Sequence, residues 1–188
     1  MLATEVVATV WAADPDITFV ASLGTATSAV RAVTNDGPHL CIAGAMGCAL
    51  AVAIGLAEST TREIVAILGD GELAMGAGSL WTLAALRPAN LRVVVLADGK
   101  YSITGGQNLG INLQAAAVAA ILGLRSAKVE TESALSREFF GIGRPALIEA
   151  VVTHHIWPGP SAFVDPNAVR IRLADALRAH QAAYGGSA

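Results

Sequence analysis

An acidic residue stands between two glycines where an apolar run ends, in the segment EIVAILGDGELAMG at residues 63–76. Glycine has no Cβ, so Gly69 and Gly71 allow the backbone to turn tightly and to approach a ligand closely. If a helix starts at Asp70, its free N–H groups favour an anion such as phosphate. A carboxylate repels phosphate unless a cation lies between them. The pattern therefore predicts a divalent metal that bridges Asp70 to a phosphate group.

A second carboxylate follows the next β-like run along the chain. Asp98 comes directly after LRVVVLA at residues 91–97. Carboxylate oxygens are hard ligands that suit Mg²⁺ or Ca²⁺ and not zinc. We therefore expect Asp98 to share a metal site with Asp70.

The composition predicts one soluble domain. The chain has 188 residues, of which 54% are hydrophobic and 5% aromatic, with a formal net charge of −3. Gly, Pro or a charge interrupts every apolar run before it reaches the roughly 20 residues of a membrane-spanning helix. Residues 1–13 carry Glu5 and lack the basic start of a signal peptide, so we expect a cytoplasmic protein. No Lys/Arg cluster is present, which argues against nucleic acid as a partner.

Short β-like runs alternate with longer helix-like runs, which predicts a doubly wound α/β fold with a mostly parallel sheet and helices on both faces. Predicted strands lie at residues 17–22, 40–44, 63–69, 91–97, 127–130 and 145–152. The clearest predicted helices lie at residues 1–13, 46–58, 72–87, 111–123 and 166–183, and further helices fill the gaps. Asp165 can cap the last helix, with Pro166 at its first position. We expect one domain over residues 1–188, with a frayed tail at 184–188.

Four glycine-containing segments follow the first four predicted strands. They read SLGTATS at residues 22–28, AGAMG at 43–47, GDGE at 69–72 and ADGKYSITGGQ at 97–107. In a doubly wound sheet, ligands bind at the carboxyl ends of the strands near a topological switch point. We therefore expect the four segments to form one site.

The motif GDGE…LADGKYSITGGQ resembles the diphosphate and metal motif of thiamine-diphosphate enzymes, in which Gly-Asp-Gly is followed some 25 to 30 residues later by Asn. Combined with AGAMGCALAVAIGLA at residues 43–57, it is similar to the sulfopyruvate and phosphonopyruvate decarboxylases. The resemblance covers roughly residues 1–152. It implies the thiamine-diphosphate-binding fold of a diphosphate-binding (PP) domain, with thiamine diphosphate and Mg²⁺ as cofactors.

The resemblance also implies a role for individual residues. Asp70 and Asp98 would bind Mg²⁺ through their side chains, with the backbone carbonyl of Lys100 as a third ligand. The diphosphate oxygens would accept hydrogen bonds from backbone N–H groups. The carbonyl of Gly44 would accept from the 4′-amino group of the cofactor, and Met46 would be the apolar wedge that bends it. The complete predicted cofactor-binding set is Gly24, Thr25, Gly44, Met46, Gly69, Gly71, Glu72, Ser102 and Thr104.

The sequence departs from the family pattern at one metal ligand. The family's Asn is here Asp98, and the Asp that usually precedes it is Ala97. Two carboxylates and a diphosphate carry more negative charge than one Mg²⁺ neutralises. His154 and His155 follow the last strand without an evident partner in the sequence, and we expect them to be surface or interface residues.

The implied activity is decarboxylation of a small 2-oxo acid. Thiamine catalysis needs a Glu on the pyrimidine ring, and in this family it comes from a pyrimidine-binding (PYR) domain. Because 188 residues have room for one domain, we expect this chain to be the β subunit of a split enzyme. Its partner would be a PYR-domain α subunit, in an α₂β₂ assembly or a multiple of it. The chain alone would be inactive and could self-associate.

Three other functions remain open at the level of sequence. The chain could be the PP half of a carboligase similar to acetolactate synthase, or a non-catalytic nucleotide-binding or scaffold module. It could also resemble haloacid-dehalogenase phosphatases, in which Asp14 would be the nucleophile, Asp16 the general acid and Asp70 the metal ligand. The run before Asp14, however, has the apolar spacing of a helix, which would misplace that nucleophile.

Overall fold

The structure, a computed structural model, describes residues 1–155 and 157–184. Its strands are β1 (Thr18–Ala21), β2 (Leu40–Cys41), β3 (Ile64–Gly69), β4 (Leu91–Ala97), β5 (Lys100–Tyr101), β6 (Gln107–Asn108), β7 (Arg125–Val129) and β8 (Ala146–Val151). Six of them form a parallel sheet in the order β2-β1-β3-β4-β8-β7, while β5 and β6 form a short antiparallel hairpin. The six predicted strands and the predicted fold class are confirmed.

Helices cover both faces of the sheet. They are α1 (Ala3–Ala13), α2 (Thr25–Thr34), α3 (Ala49–Ser59), α4 (Asp70–Met75), α5 (Ser79–Leu86), α6 (Ala115–Ile121), α7 (Glu132–Gly141) and α8 (Pro166–Tyr184). Successive side chains of a strand point to opposite faces. In β3, Val65 and Ile67 pack with α1, α2 and α7, whereas Ala66 and Leu68 pack with α3, α5 and α6. The sheet is therefore the centre of two hydrophobic layers.

The predicted single helix at residues 72–87 is wrong, because the chain forms two helices with a break at residues 76–78. At the break, a Cβ on Gly76 would lie 2.2 Å from the carbonyl oxygen of Gly47. This backbone contact leaves no room for a side chain at residue 76, which lies at the break. The preceding helix α3 begins at Ala49 and not at residue 46, so Met46 lies in the loop before it.

The last helix begins as predicted. Asp165 Oδ1 accepts a hydrogen bond from the Asn167 N–H at 2.9 Å, and Pro166 occupies the first helical position. Of the predicted frayed tail at residues 184–188, all but Tyr184 lie outside the described residues. Every helix in residues 1–155 and 157–184 is too short or too polar to cross a lipid bilayer.

The strand order creates a topological switch point at β1. The chain passes from β1 to its neighbour β2 on one side and then returns to β3 on the other side. The loops that follow β1 and β3 therefore lead away from each other and leave a crevice at the carboxyl edge of the sheet. The segments at residues 22–28 and 69–72 lie at this crevice.

Candidate functional site

A cavity opens at this crevice, with walls from the segments that follow β1, β2, β3 and β4. Nine of the predicted cofactor and metal residues line it, namely Gly24, Thr25, Met46, Gly69, Gly71, Glu72, Asp98, Lys100 and Ser102. The structure thus brings together residues that are far apart in the sequence. Their roles toward a cofactor stay predictions.

Three predicted residues lie outside the cavity wall. Gly44 is exposed. Thr104 is also exposed and donates its hydroxyl hydrogen to Gln107 Oε1 at 2.8 Å. Asp70 is 5% exposed and lines a second cavity, together with Gly99 and Glu149. The apolar wall residues were not singled out from the sequence; they are Leu23, Ala26 and Ile103, which lie within the predicted segments, and Leu96 and Val152, which lie outside them.

Asp70 connects the ends of β3 and β4. Its Oδ1 accepts from the Gly71 N–H and its Oδ2 from the Gly99 N–H, both at 2.8 Å. Burial raises the pKa of this carboxyl and the nearby Asp98 carboxylate adds to the rise, while the Gly99 and Gly71 N–H groups oppose it. Asp70 and Asp98 follow neighbouring strands, and the Gly99 N–H that Asp70 accepts belongs to the residue next to Asp98.

Each carboxylate oxygen of Asp98 has a hydrogen-bonding partner. Oδ1 accepts from the Lys100 N–H at 3.0 Å, and Oδ2 lies 2.7 Å from Nδ1 of His154. The expectation that His154 has no partner is wrong, whereas its place at a surface or interface stays a prediction. Sequence alone could not reveal this contact, because it depends on β8 lying beside β4 in the sheet. The Lys100 ammonium donates to Asn108 Oδ1 at 2.7 Å, which places it on the β5–β6 hairpin.

Glu72 has a structural role that the sequence did not indicate. Its side chain is buried, and its oxygens accept from the Gly47 N–H at 2.8 Å and the Ala49 N–H at 2.9 Å. These N–H groups belong to the loop before α3 and to the first residue of that helix, which have no partner within the helix. Glu72 therefore ties the segment that contains Met46 to the segment that contains Asp70.

Tyr101 occupies the space beside Gly71. A Cβ at Gly71 would lie 2.6 Å from Cε1 of the Tyr101 ring, so this position has no room for a side chain. The expectation that both glycines serve close approach to a ligand is thus only part of the explanation. At Gly71 the close neighbour in the structure is an aromatic ring of the same chain.

The geometry does not support the phosphatase interpretation. Asp14 follows α1 and precedes β1, and its Oδ1 accepts from the Asp16 N–H at 2.9 Å. Both residues therefore lie at the amino edge of the parallel sheet, whereas Asp70 follows β3 at the carboxyl edge. Asp14 as nucleophile and Asp70 as metal ligand would stand at opposite ends of the sheet.

Comparison with known proteins finds relatives among decarboxylases. The phosphonopyruvate decarboxylase of Streptomyces viridochromogenes is 37% identical over 112 residues, which cover 59% of this chain and 28% of the relative. The sulfopyruvate decarboxylase subunit beta of Methanothermobacter thermautotrophicus is 35% identical over 88 residues, which cover 47% of this chain and 48% of the relative. This chain thus spans about half or less of the length of these two relatives.

Solved structures and a family model agree on the fold. The thiamine diphosphate-dependent 4-hydroxybenzoylformate decarboxylase of Rhodococcus jostii superposes with a TM-score of 0.67 at 20% identity, over 82% of this chain and 33% of that one. Residues 22–150 match the model of the C-terminal TPP-binding domain of thiamine pyrophosphate enzymes. This match contains the four segments around the cavity. The chain therefore belongs to the thiamine pyrophosphate enzyme family and contains its C-terminal TPP-binding domain.

Proposed function

We propose that this chain is the thiamine-diphosphate- and Mg²⁺-binding β subunit of a split 2-oxo acid decarboxylase of the sulfopyruvate and phosphonopyruvate type. The observation that carries the proposal is the cavity at the switch point, which Asp98 lines at the end of β4, with the buried Asp70 at the end of the neighbouring strand β3. The family match supports the cofactor. The names of the relatives support the reaction class and the subunit role.

The donor set fits Mg²⁺. Within the described ranges, no three His, Cys, Asp or Glu side chains converge as a metal site. Two carboxylates, completed by the Lys100 backbone carbonyl and by diphosphate oxygens, are what Mg²⁺ accepts, since it is usually held by one or two carboxylates and substrate phosphates. We therefore assign Asp70, Asp98 and Lys100 as the metal-binding residues.

The residues of this chain would bind and orient the cofactor. Gly24, Thr25 and the N–H groups of Gly71 and Glu72 are assigned to the diphosphate, and Met46 to the apolar wall. When bound, thiamine diphosphate supplies an electron sink for the loss of CO₂ from a 2-oxo acid. The hydrogen bonds of Asp70 to two backbone N–H groups and of Glu72 to two others fix these loops before the cofactor arrives.

The activating Glu is assigned to a PYR-domain α subunit. The described residues form one parallel sheet with one short hairpin, which corresponds to a single PP domain. A relative named as subunit beta supports a separate partner. Because such sites lie between PYR and PP faces and occur in pairs, we propose an α₂β₂ assembly or a multiple of it, located in the cytoplasm.

Binding of the cofactor tests the site directly. Calorimetry on the chain with a candidate PYR partner should show thiamine diphosphate binding that depends on Mg²⁺. Asp70→Ala should reduce the affinity by more than about a hundredfold, because even residues that only support metal ligands contribute 10- to 100-fold. Asp175→Ala is the matched control, since the Asp175 side chain is 63% exposed on α8. If Asp70→Ala binds as tightly as the parent chain, the metal assignment is wrong.

Turnover tests the subunit role. The chain is assayed with sulfopyruvate and phosphonopyruvate, alone and with the PYR partner, while the mass in solution is measured. We expect CO₂ release only from the complex. Release of an aldehyde identifies a decarboxylase, whereas a carbon–carbon ligation product identifies a carboligase. Turnover by the isolated chain at a rate that the partner does not change would contradict the split-enzyme proposal, and cofactor binding without turnover of any 2-oxo acid would favour a scaffold module.

A further inference from the structure

His154 reaches the predicted metal ligand Asp98 from the neighbouring strand. β4 and β8 pair in the sheet, so the residues that follow them leave its carboxyl edge side by side. His154 Nδ1 lies 2.7 Å from Asp98 Oδ2, and the Ser102 hydroxyl lies 3.4 Å from the same nitrogen. The contact therefore joins the end of β8 to the rim of the cavity.

The histidine is the donor in this contact. A carboxylate accepts hydrogen bonds and donates none, so Nδ1 carries the hydrogen in either the neutral or the charged ring. Together with the Lys100 N–H, each oxygen of Asp98 then has a donor. The Asp98 side chain is 9% exposed, and hydrogen bonds to a carboxylate are among the strong ones in proteins. Asp98 is thus held in one orientation.

Asp98 also carries a charge that the site must accommodate. Asp70 Oδ2 accepts from the N–H of Gly99, the residue next to Asp98, and the proposed diphosphate is itself an anion. A hydrogen bond donated to Oδ2 offsets part of the carboxylate charge. We propose that His154 is a positioning residue, which orients Asp98 as a metal ligand and allows a carboxylate to serve there. This inference rests on the proposed binding of Mg²⁺ and thiamine diphosphate.

The test compares the parent chain, His154→Ala, Asp98→Asn and the double variant, each with the PYR partner. Calorimetry measures the Mg²⁺ concentration that gives half-saturation with thiamine diphosphate. His154→Ala should raise this concentration about tenfold or more, as is typical when a residue that supports a metal ligand is removed. In a chain that also carries Asp98→Asn, His154→Ala should raise the half-saturating Mg²⁺ concentration less than about threefold, because a neutral amide has no charge to offset. Asp98→Asn alone should bind somewhat more tightly than the parent chain.

A conservative variant separates hydrogen bonding from packing. His154→Asn places an amide N–H near the position of Nδ1–H, and we expect it to bind Mg²⁺ within about threefold of the parent chain. His154→Leu fills the space without a donor and should show the same loss as His154→Ala, so it replaces that variant if the smaller side chain prevents folding. His155→Ala is the matched control, since this neighbouring histidine is exposed. Unfolding of each ligand-free variant in denaturant identifies folding defects.

The outcomes distinguish this inference from the proposed function. Equal losses from His154→Ala in the parent chain and in the Asp98→Asn background would overturn the part of the proposal in which His154 offsets the charge of Asp98, and no loss in either would overturn the positioning role. The proposed function would stand in that case, provided that the parent chain binds the cofactor and Asp70→Ala does not. A parent chain that fails to bind Mg²⁺ and thiamine diphosphate would overturn both.

Discussion

At the scale of single residues, the two glycines that flank Asp70 have different surroundings. Gly69 ends β3 with extended backbone, and a Cβ there would meet no atom within 4 Å. Gly71 lies inside α4, where its backbone suits any residue, but a Cβ would meet the Tyr101 ring. The absence of a side chain at Gly71 is therefore a matter of space and not of backbone conformation.

This difference predicts the effect of alanine at each position. Gly71→Ala should lower the free energy of unfolding by about 1–3 kcal/mol, because overpacking forces the Tyr101 ring to move. In a chain that also carries Tyr101→Ala, the added methyl group should have little further effect. Denaturant unfolding of the two single variants and of the double variant measures both values.

Gly69→Ala is the matched control for this experiment. It adds the same methyl group next to the same aspartate, and we expect a change of less than about 0.5 kcal/mol, as at most unconstrained positions. If Gly71→Ala lowers the free energy of unfolding by the same amount with and without the Tyr101 ring, the ring is not the cause. The loss of stability would then originate within α4.

At the scale of elements, the sequence predicted strands better than helices. The central strands β3, β4 and β8 are mainly apolar and buried on both faces, and such runs are visible in the sequence, whereas the edge strand β7 has only Val129 buried. The break between α4 and α5 was not, because the contact of Gly76 with Gly47 joins two distant segments. The sequence shows the glycines but not which backbone they approach.

The same limit applies to the site. Residues that follow strands were predictable, because parallel strands end at one edge, and nine of them line one cavity. The side-chain connections between them were not, since Glu72 to the start of α3 and His154 to Asp98 depend on which elements are neighbours. Local pattern thus finds the candidate loops, and the strand order decides how they support one another.

At the scale of the whole molecule, one buried histidine couples global stability to pH. His39 is 3% exposed between the rings of Trp11 and Phe19, and its Nδ1 accepts from the Phe19 N–H at 3.2 Å. Burial lowers the pKa of His39 from 6.5 to about 4, with a smaller contribution from Arg62. The folded protein therefore keeps this ring neutral at a pH where the unfolded chain binds a proton.

The sign of the effect follows from where the proton binds. Between pH 6.5 and about 4 the unfolded state holds more protons, so the free energy of unfolding should fall as the pH falls, by roughly 3 kcal/mol in total. The raised pKa of Asp70 acts in the opposite sense, so the informative quantity is the difference between the parent chain and a variant that retains Asp70.

His39→Asn is that variant, because its side-chain oxygen can accept from the Phe19 N–H while the side chain has no proton to gain. We expect it to be less stable than the parent chain at neutral pH, since it loses ring contacts, but to show a flatter dependence on pH between 6.5 and 4. Denaturant unfolding across this range measures both slopes, with the exposed His155→Asn as a control that keeps the parent slope. Parallel curves for the parent chain and His39→Asn would mean that His39 stays accessible to protons in the folded state.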